Sequence, residues 1–587
     1  MTRYSTTTAA HWLTIERQRA RLYEHHQHQA TERARASREV EAIRNERGAL
    51  PVRSHMNDTD LRELADRRAE LMASRITADR VPRDVDGYAA WIDAQVRQLD
   101  ARGARLTGKG TDAQQLEGLI GRVQCALWWR RQLRRAVVRK REAEGITRAE
   151  VCATRRQPYV TTDTVRRHIG QKARNAAMLE ATEIESACGQ VVTLAAAAAA
   201  STSNKGIRRG ELMTRITGCE ALADSAGHAG VFITATCPSR FHATQRHGGI
   251  NPRFREAGPP PPDAPRRAQA WLCAMWAKAR AALHRVGMPV YGFRVAEPHH
   301  DGCPHWHLLL WTLPHYVEQL TATLRRYWLS DAGDEPGAEE HRLTVKTMHA
   351  GGASGYVAKY IAKNIDDAGA IEAEGHHDEF DGEAVPMPAQ ADMFGGGAQR
   401  VEAWASAWGI RQFQAIGQPP VTPWRELRRV QDAGEVMGAS HAICRAWIAA
   451  HRNDDKRADW AGYVKAQGGL LVGRLYAVRV AEEQRLTHGR YESIEAPRPV
   501  GLFDASEPHV VVRSSRREWR PKGTWRRDER RAPKVPTLTR TRFNNCTQGR
   551  QLPTRIAGRV MPRGSPLMTW KALIDADEGS SYAVPGW

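Results

Sequence analysis

The chain has 587 residues, too many for one ordinary domain, and 41% of them are hydrophobic, enough for more than one core. Lysine and arginine total 87 against 66 acids, a net charge of +21 that favours a polyanionic partner without specifying a fold. Nine scattered cysteines with no Cys-x-x-Cys argue against a disulfide framework or zinc knuckle, and no apolar run reaches the length of a membrane span.

In chain order, residues 1–155 read as a basic helical region, with helices over 12–47, 60–75, 86–99 and 112–144. Within it, WWRRQLRR at 128–135 fits two descriptions equally: a base-stacking surface, or a helix with buried tryptophans and a solvated basic face. GARLTGKGT at 103–111 falls short of a phosphate-binding loop. Gly110 stands where Ser or Thr would hold a metal, and no hydrophobic strand precedes it, so no ATPase or helicase motor is expected.

Residues 156–228 continue as a helical buttress, with helix starts near Thr161, an alanine-rich stretch over 180–198 and a further helix over 208–225. Residues 229–365 form the next unit. A strand over 231–237 is followed by a proline-rich insertion, a helix over 266–286, strands over 289–297 and 305–311, a helix over 315–329 and a strand over 342–349. That order, β-α-β-β-α-β, predicts an α+β, ferredoxin-like four-stranded antiparallel sheet embedded between largely α-helical N- and C-terminal regions. Thr234 and Thr236 on the first strand share a face. Residues 366–399 are acidic and rich in Gly, Ala and Pro, as a linker or surface insertion is; 400–500 read as helical, including 475–486; and 501–587 read as a basic, disordered tail with Trp519 and Trp525 among arginines.

Two strings in the 229–365 unit carry chemistry. In EPHHDGCPHWHLLLW, Asp301-Gly302 is a hairpin turn signal, and His305 and His307, two apart in a strand, project from one face. Closing the hairpin brings Glu297 beside His305, so a carboxylate and two imidazoles could bind one divalent ion and leave positions open for water or phosphate oxygens. His299, His300 or Asp301 could replace Glu297. The N/O set suits Mg²⁺, Mn²⁺ or Zn²⁺, with Mg²⁺ or Mn²⁺ expected ahead of Zn²⁺. The second string, GYVAKYIAKNID, repeats Tyr-x-Ala-Lys. On a helix, Tyr356 and Tyr360 lie one turn apart, with Lys359 and Lys363 on another stripe. A phenol is a poor nucleophile at neutral pH. A metal polarising the target phosphate, and lysines offsetting developing charge, would remedy this.

Together with FITATCPSRFH at 232–242, YVTTDTVRRHIGQKARN at 159–175 and AWASAWGIRQFQAIGQPPVTPWRELRR at 403–429, these strings resemble the bacteriophage replication gene A proteins. These are rolling-circle initiators of the HUH endonuclease superfamily, and the resemblance covers roughly residues 155–430. It implies an HUH palm and a metal-dependent enzyme that nicks and rejoins a replication origin. His305, His307 and Glu297 would be metal ligands and Tyr356 and Tyr360 nucleophiles that become linked to the 5′ phosphate. Lys359 and Lys363 would contact phosphate or favour phenolate. The implied partners are single-stranded or locally melted origin DNA and a host helicase and polymerase, in the bacterial host cytoplasm and with no membrane. The alternatives are an HUH transposase or relaxase, a hydrolase using water, and a non-enzymatic DNA-binding protein with a structural metal site.

Overall fold

The computed structural model describes residues 51–77, 81–82, 84–99, 112–152, 154, 157–245, 248–256, 263–348, 376–377, 384–385, 397–431, 433–436, 438–451, 457–491 and 493–524. The chain divides into two compact units: residues 1–150 with 258–264 and 483–498, and residues 151–257, 265–482 and 499–587. Among the described residues no helix is long and apolar enough to cross a membrane.

In the first unit, helices Asp58–Thr77, Val85–Gln98, Asp112–Val123 and Ala126–Thr147 converge on a core that includes Leu61, Leu64, Met72, Ile92, Val96, Leu116 and Leu133. Leu61, Leu64, Ala65, Met72 and Ile76 recur at helical spacing, which gives the first of these helices a single apolar stripe to bury. The continuous helix expected over 112–144 is instead two helices, broken at Gln124-Cys125. The break is stabilised by the Trp129 indole, which donates to the Val123 carbonyl at 2.7 Å, a group at the end of the preceding helix.

Trp128 and Trp129 are both buried, and the Arg68 guanidinium lies 5.6 Å from the Trp129 ring centroid. On the same helix Arg130 and Arg134 pair with Asp58 at 2.5 and 2.6 Å. Of the two descriptions of this run, the buried one holds: indoles in a core offer no face to a base. Trp129→Ala is therefore expected to destabilise the first unit by about 3–5 kcal/mol in urea unfolding. Unchanged stability with weakened single-strand binding would show the opposite role. Residues 12–47 and 103–111 lie outside the described residues.

The second unit is built on five strands: β1 (Ala229–Ala235), β2 (Tyr291–Pro298), β3 (Pro304–Thr312), β4 (Leu343–Met348) and β5 (Phe413–Ile416). Their order is β4-β1-β3-β2-β5, and every neighbouring pair is antiparallel. Helix Ala264–Arg285 connects β1 to β2 and helix Val317–Trp328 connects β3 to β4, so residues 229–348 follow the expected β-α-β-β-α-β order in an α+β fold. β5 is a fifth strand where four were expected. It pairs with the outer edge of β2, and the Ala296 amide donates to Gln412 at 2.8 Å just beside it. Gly292, with φ 151°, allows β2 to run close to β3, because a Cβ there would lie 1.9 Å from the Leu309 carbonyl oxygen.

Alternation along β3 sorts its side chains between two environments. Trp306, Leu308 and Leu310 are buried on one face, where the Trp306 indole donates to Gln269 of helix Ala264–Arg285 at 3.0 Å and the Arg294 guanidinium stacks 4.3 Å from its ring. The other face carries His305, His307, Leu309 and Trp311. Its far end, with Tyr291, Phe293, Leu309 and Trp311, packs on Leu212, Ile216, Cys219 and Leu222 of helix Lys205–Ser225. That packing leaves the histidine end to a small cluster of Phe232, Val295, Met348 and Phe413.

Three helical expectations are corrected. Over 180–198, helix Thr162–Ala181 ends, the chain forms a hairpin, Glu183–Ser186 with Val191–Thr193, and a short helix follows at Leu194–Ala199. Gly189, with φ 79°, supplies the turn. Residues 475–486 are not a helix, since Val478–His488 is a strand despite its run of Ala481, Glu482, Glu483 and Gln484. There, tertiary context outweighs local helix propensity. Strand Ser493–Asp504 pairs with Glu507–Arg513, so the region over 400–500 is mixed and the disorder expected from 501 does not hold there. Trp519–Pro521 is also a strand, paired with Glu183–Ser186, and the buried Glu426 carboxylate anchors this segment through Arg516 at 2.5 Å and Ser514. Inside 366–399, His376–His377 pairs with Ala384–Val385; the other residues up to 396, and all those from 525 including Trp525, lie outside the described residues.

Candidate metal centre

The hairpin that carries the site is fixed at its turn. Asp301, with no exposed side-chain surface, accepts from the Cys303 amide at 3.0 Å, the Ala243 amide at 3.0 Å and the His242 ring at 3.2 Å. The turn backbone is held from outside as well: the Tyr159 amide donates to the His300 carbonyl at 3.1 Å and the Trp404 indole to the Gly302 carbonyl at 2.9 Å. Burial alone would raise the Asp301 pKa, but His242 beside it overrides this and holds the carboxyl well below the usual range. Burial would likewise lower His242, and the Asp301 charge reverses that, leaving it raised.

From this turn the two strands run in register, with Glu297 opposite His305 and Val295 opposite His307. The Nε2 atoms of His305 and His307 are 3.0 Å apart, and the Glu297 carboxylate lies 3.6 Å from His307 Nε2. One ligand atom from each of the three residues falls within 4.8 Å of the others, the one such cluster among the described residues. Two imidazole nitrogens and a carboxylate oxygen converging at that spacing fit a divalent cation. The His307 ring is held from the sheet: Phe232 stacks on it at 5.5 Å and 22°, and Thr234 Oγ1 lies 3.2 Å from its Nδ1.

The other donors proposed from sequence fall elsewhere. Asp301 is occupied by the turn. His299 packs at a tilt against His305 with ring centroids 4.1 Å apart, and neither it nor His300 joins the three-residue cluster. Burial and the neighbouring imidazoles of His305 and His242 push His299 well down, toward the neutral ring. Thr236, expected beside Thr234 on the same face, bonds backward to the His341 and Arg342 carbonyls at 3.3 and 3.4 Å. Tyr356, Tyr360, Lys359 and Lys363 lie outside the described residues. Sequence reasoning did not find the His242–Asp301 pair. Its two members are 59 positions apart, and only the turn packing joins them.

Residues 86–368 match the sequence profile described as Bacteriophage replication gene A protein (GPA). The "Replication gene A protein" of Escherichia phage 186 is 36% identical over 424 residues, covering 71% of this chain and 58% of that protein. The chain belongs to the bacteriophage replication gene A protein family. A second family relative, the "Replication gene A protein" of Escherichia phage P2, is 34% identical over 439 residues, 71% of this chain and 54% of that protein. A third, from Shigella boydii serotype 4, is named "Probable replication endonuclease from prophage-like region" and is 30% identical over 424 residues, 69% of this chain and 50% of its own. The chain thus spans between half and three-fifths of the length of these relatives. No solved structure matches it.

Proposed function

We propose that this chain is an HUH-type endonuclease and ligase that nicks one strand of a phage replication origin and starts rolling-circle synthesis. The observation that carries the reading is the convergence of Glu297, His305 and His307 on one sheet face, in a family whose relatives include one named a replication endonuclease. On this reading the five-stranded sheet is the HUH palm, and the two histidines flanking Trp306 are the HUH pair.

Glu297, His305 and His307 hold the metal, Mg²⁺ or Mn²⁺, which when bound polarises the scissile phosphate and offsets the charge that builds on the leaving oxygen. Tyr356 or Tyr360 attacks the phosphorus through its phenol oxygen. A phosphotyrosine bond to the 5′ phosphate forms, the bond to the 3′ oxygen breaks, and the phenolic proton is balanced by the one gained at the 3′ hydroxyl. Lys359 and Lys363 contact the phosphate or favour the phenolate. Because the phosphotyrosine keeps the energy of the broken bond, rejoining needs no nucleotide. The free 3′ hydroxyl serves a host polymerase, a host helicase separates the strands, and the site of action is the bacterial cytoplasm. The second tyrosine cleaves the regenerated origin, and the released 3′ end attacks the first adduct.

The test is incubation with end-labelled single-stranded DNA tiling a candidate origin, with Mn²⁺, followed by denaturing electrophoresis. Wild type should give a protein-linked band that Tyr356→Phe and Tyr360→Phe each reduce and the double variant removes. Nicked DNA without any linked band would identify water as the nucleophile and overturn the proposal.

A further inference from the structure

We infer that Thr234 is a positioning residue for the metal centre: its hydroxyl accepts the Nδ1 proton of His307 and so turns the Nε2 lone pair toward the cation. This rests on the metal-centre reading above and extends it to a residue on a third strand.

The register puts Thr234 of β1 directly opposite His307 of β3, so their side chains leave the same face of the sheet side by side. Thr234 Oγ1 lies 3.2 Å from His307 Nδ1, while Nε2 of the same ring lies 3.0 Å from His305 Nε2 and 3.6 Å from the Glu297 carboxylate. The two nitrogens of one imidazole therefore have different duties. A neutral imidazole that gives its Nε2 lone pair to a cation carries its proton on Nδ1, and a buried Nδ1–H requires an acceptor. Phe232, stacked on the His307 ring, restricts its tilt, and the hydroxyl sets which nitrogen points where. Thr236, two residues on and just past the end of β1, is the internal contrast. Its hydroxyl is turned to the His341 and Arg342 carbonyls and touches no ligand.

The experiment measures Mn²⁺ affinity of the full chain directly, from the electron paramagnetic resonance signal of free Mn²⁺, for wild type, Thr234→Val, Thr234→Ala, Thr234→Ser and His307→Ala. Thr234→Val and Thr234→Ala should each weaken Mn²⁺ binding by about 10–100-fold, the effect of losing an outer-shell partner of a ligating histidine. Thr234→Ser should restore it, and excess Mn²⁺ should return the nicking rate of the weak variants. Thr234→Val tests the hydroxyl with β-branching kept, and Thr234→Ala does so should the extra methyl disturb the strand. Wild-type affinity in both, beside loss in His307→Ala, would overturn the role of Thr234 and leave the metal centre standing. Equal loss in Thr234→Ser and Thr234→Ala would also overturn it, since packing and not the hydroxyl would then be responsible. Undiminished binding in His307→Ala would instead overturn the metal centre itself.

Discussion

His307→Ala is expected to lower single-turnover nicking by about a thousandfold or more at saturating Mn²⁺, with His305→Ala close to it. A cation acting on a transferring phosphate contributes several kcal/mol to the transition state, and each 1.4 kcal/mol or so is tenfold in rate. Nothing in the packing predicts a comparable loss of stability. His307 stands at the edge of the small Phe232–Val295 cluster, apart from the large core that includes Leu309 and Trp311. The variant should therefore melt close to wild type while failing to nick, and a chelator should reproduce the same loss in the wild type. A His307→Ala protein that keeps a tenth or more of the rate would remove the metal centre from the chemistry.

Asp301→Ala is expected to be the most damaging single change for the fold of the hairpin, about 3–5 kcal/mol by denaturant unfolding. It strips a buried carboxylate from two backbone amides and from His242, leaving those donors unpaired. The pair also predicts a pH signature. Asp301 has a depressed pKa, so its contribution is present above the ordinary carboxylate value and lost as pH falls through the folded one. His242 has a raised pKa, so its contribution is complete below about 6.5, the unperturbed histidine value, and lost as pH rises through its folded one. The pair therefore stabilises most between about pH 4 and 6.5. Asp301→Asn should flatten the difference in unfolding free energy between pH 6 and pH 8. A variant whose pH profile parallels wild type would show that the two groups do not titrate together.

Much of this centre could be read from spacing. Histidines two apart in an apolar strand must share a face, and an Asp-Gly turn of the right length sets Glu297 against His305. The chain order of the sheet was legible for the same reason, because each helix and strand between 229 and 348 carries its own period. β5 was not: four residues, Phe413–Ile416, are too few to show alternation, and their pairing partner lies more than a hundred positions upstream. The strand Val478–His488 was misread because Ala481, Glu482, Glu483 and Gln484 favour helix locally. Trp128 and Trp129 illustrate a different limit. Aromatic residues among arginines have the same composition on a nucleic-acid surface as in a core, and only the burial of the indoles and the pairing of Arg130 and Arg134 with Asp58 separate the two. The duties of Thr234 and Thr236 diverge for a related reason: alternation sets both on one side only while the strand lasts, β1 ends at Ala235, and the neighbours decide what each hydroxyl bonds.

The central claim is tyrosine transesterification, and its most direct measurement is mass spectrometry of the nuclease-trimmed, trypsin-digested covalent complex formed on origin DNA with Mn²⁺. The account predicts a nucleotide remnant joined through its 5′ phosphate to the peptide containing Tyr356 or Tyr360. A remnant on any other residue, or quantitative nicking with unmodified peptides throughout, would contradict it.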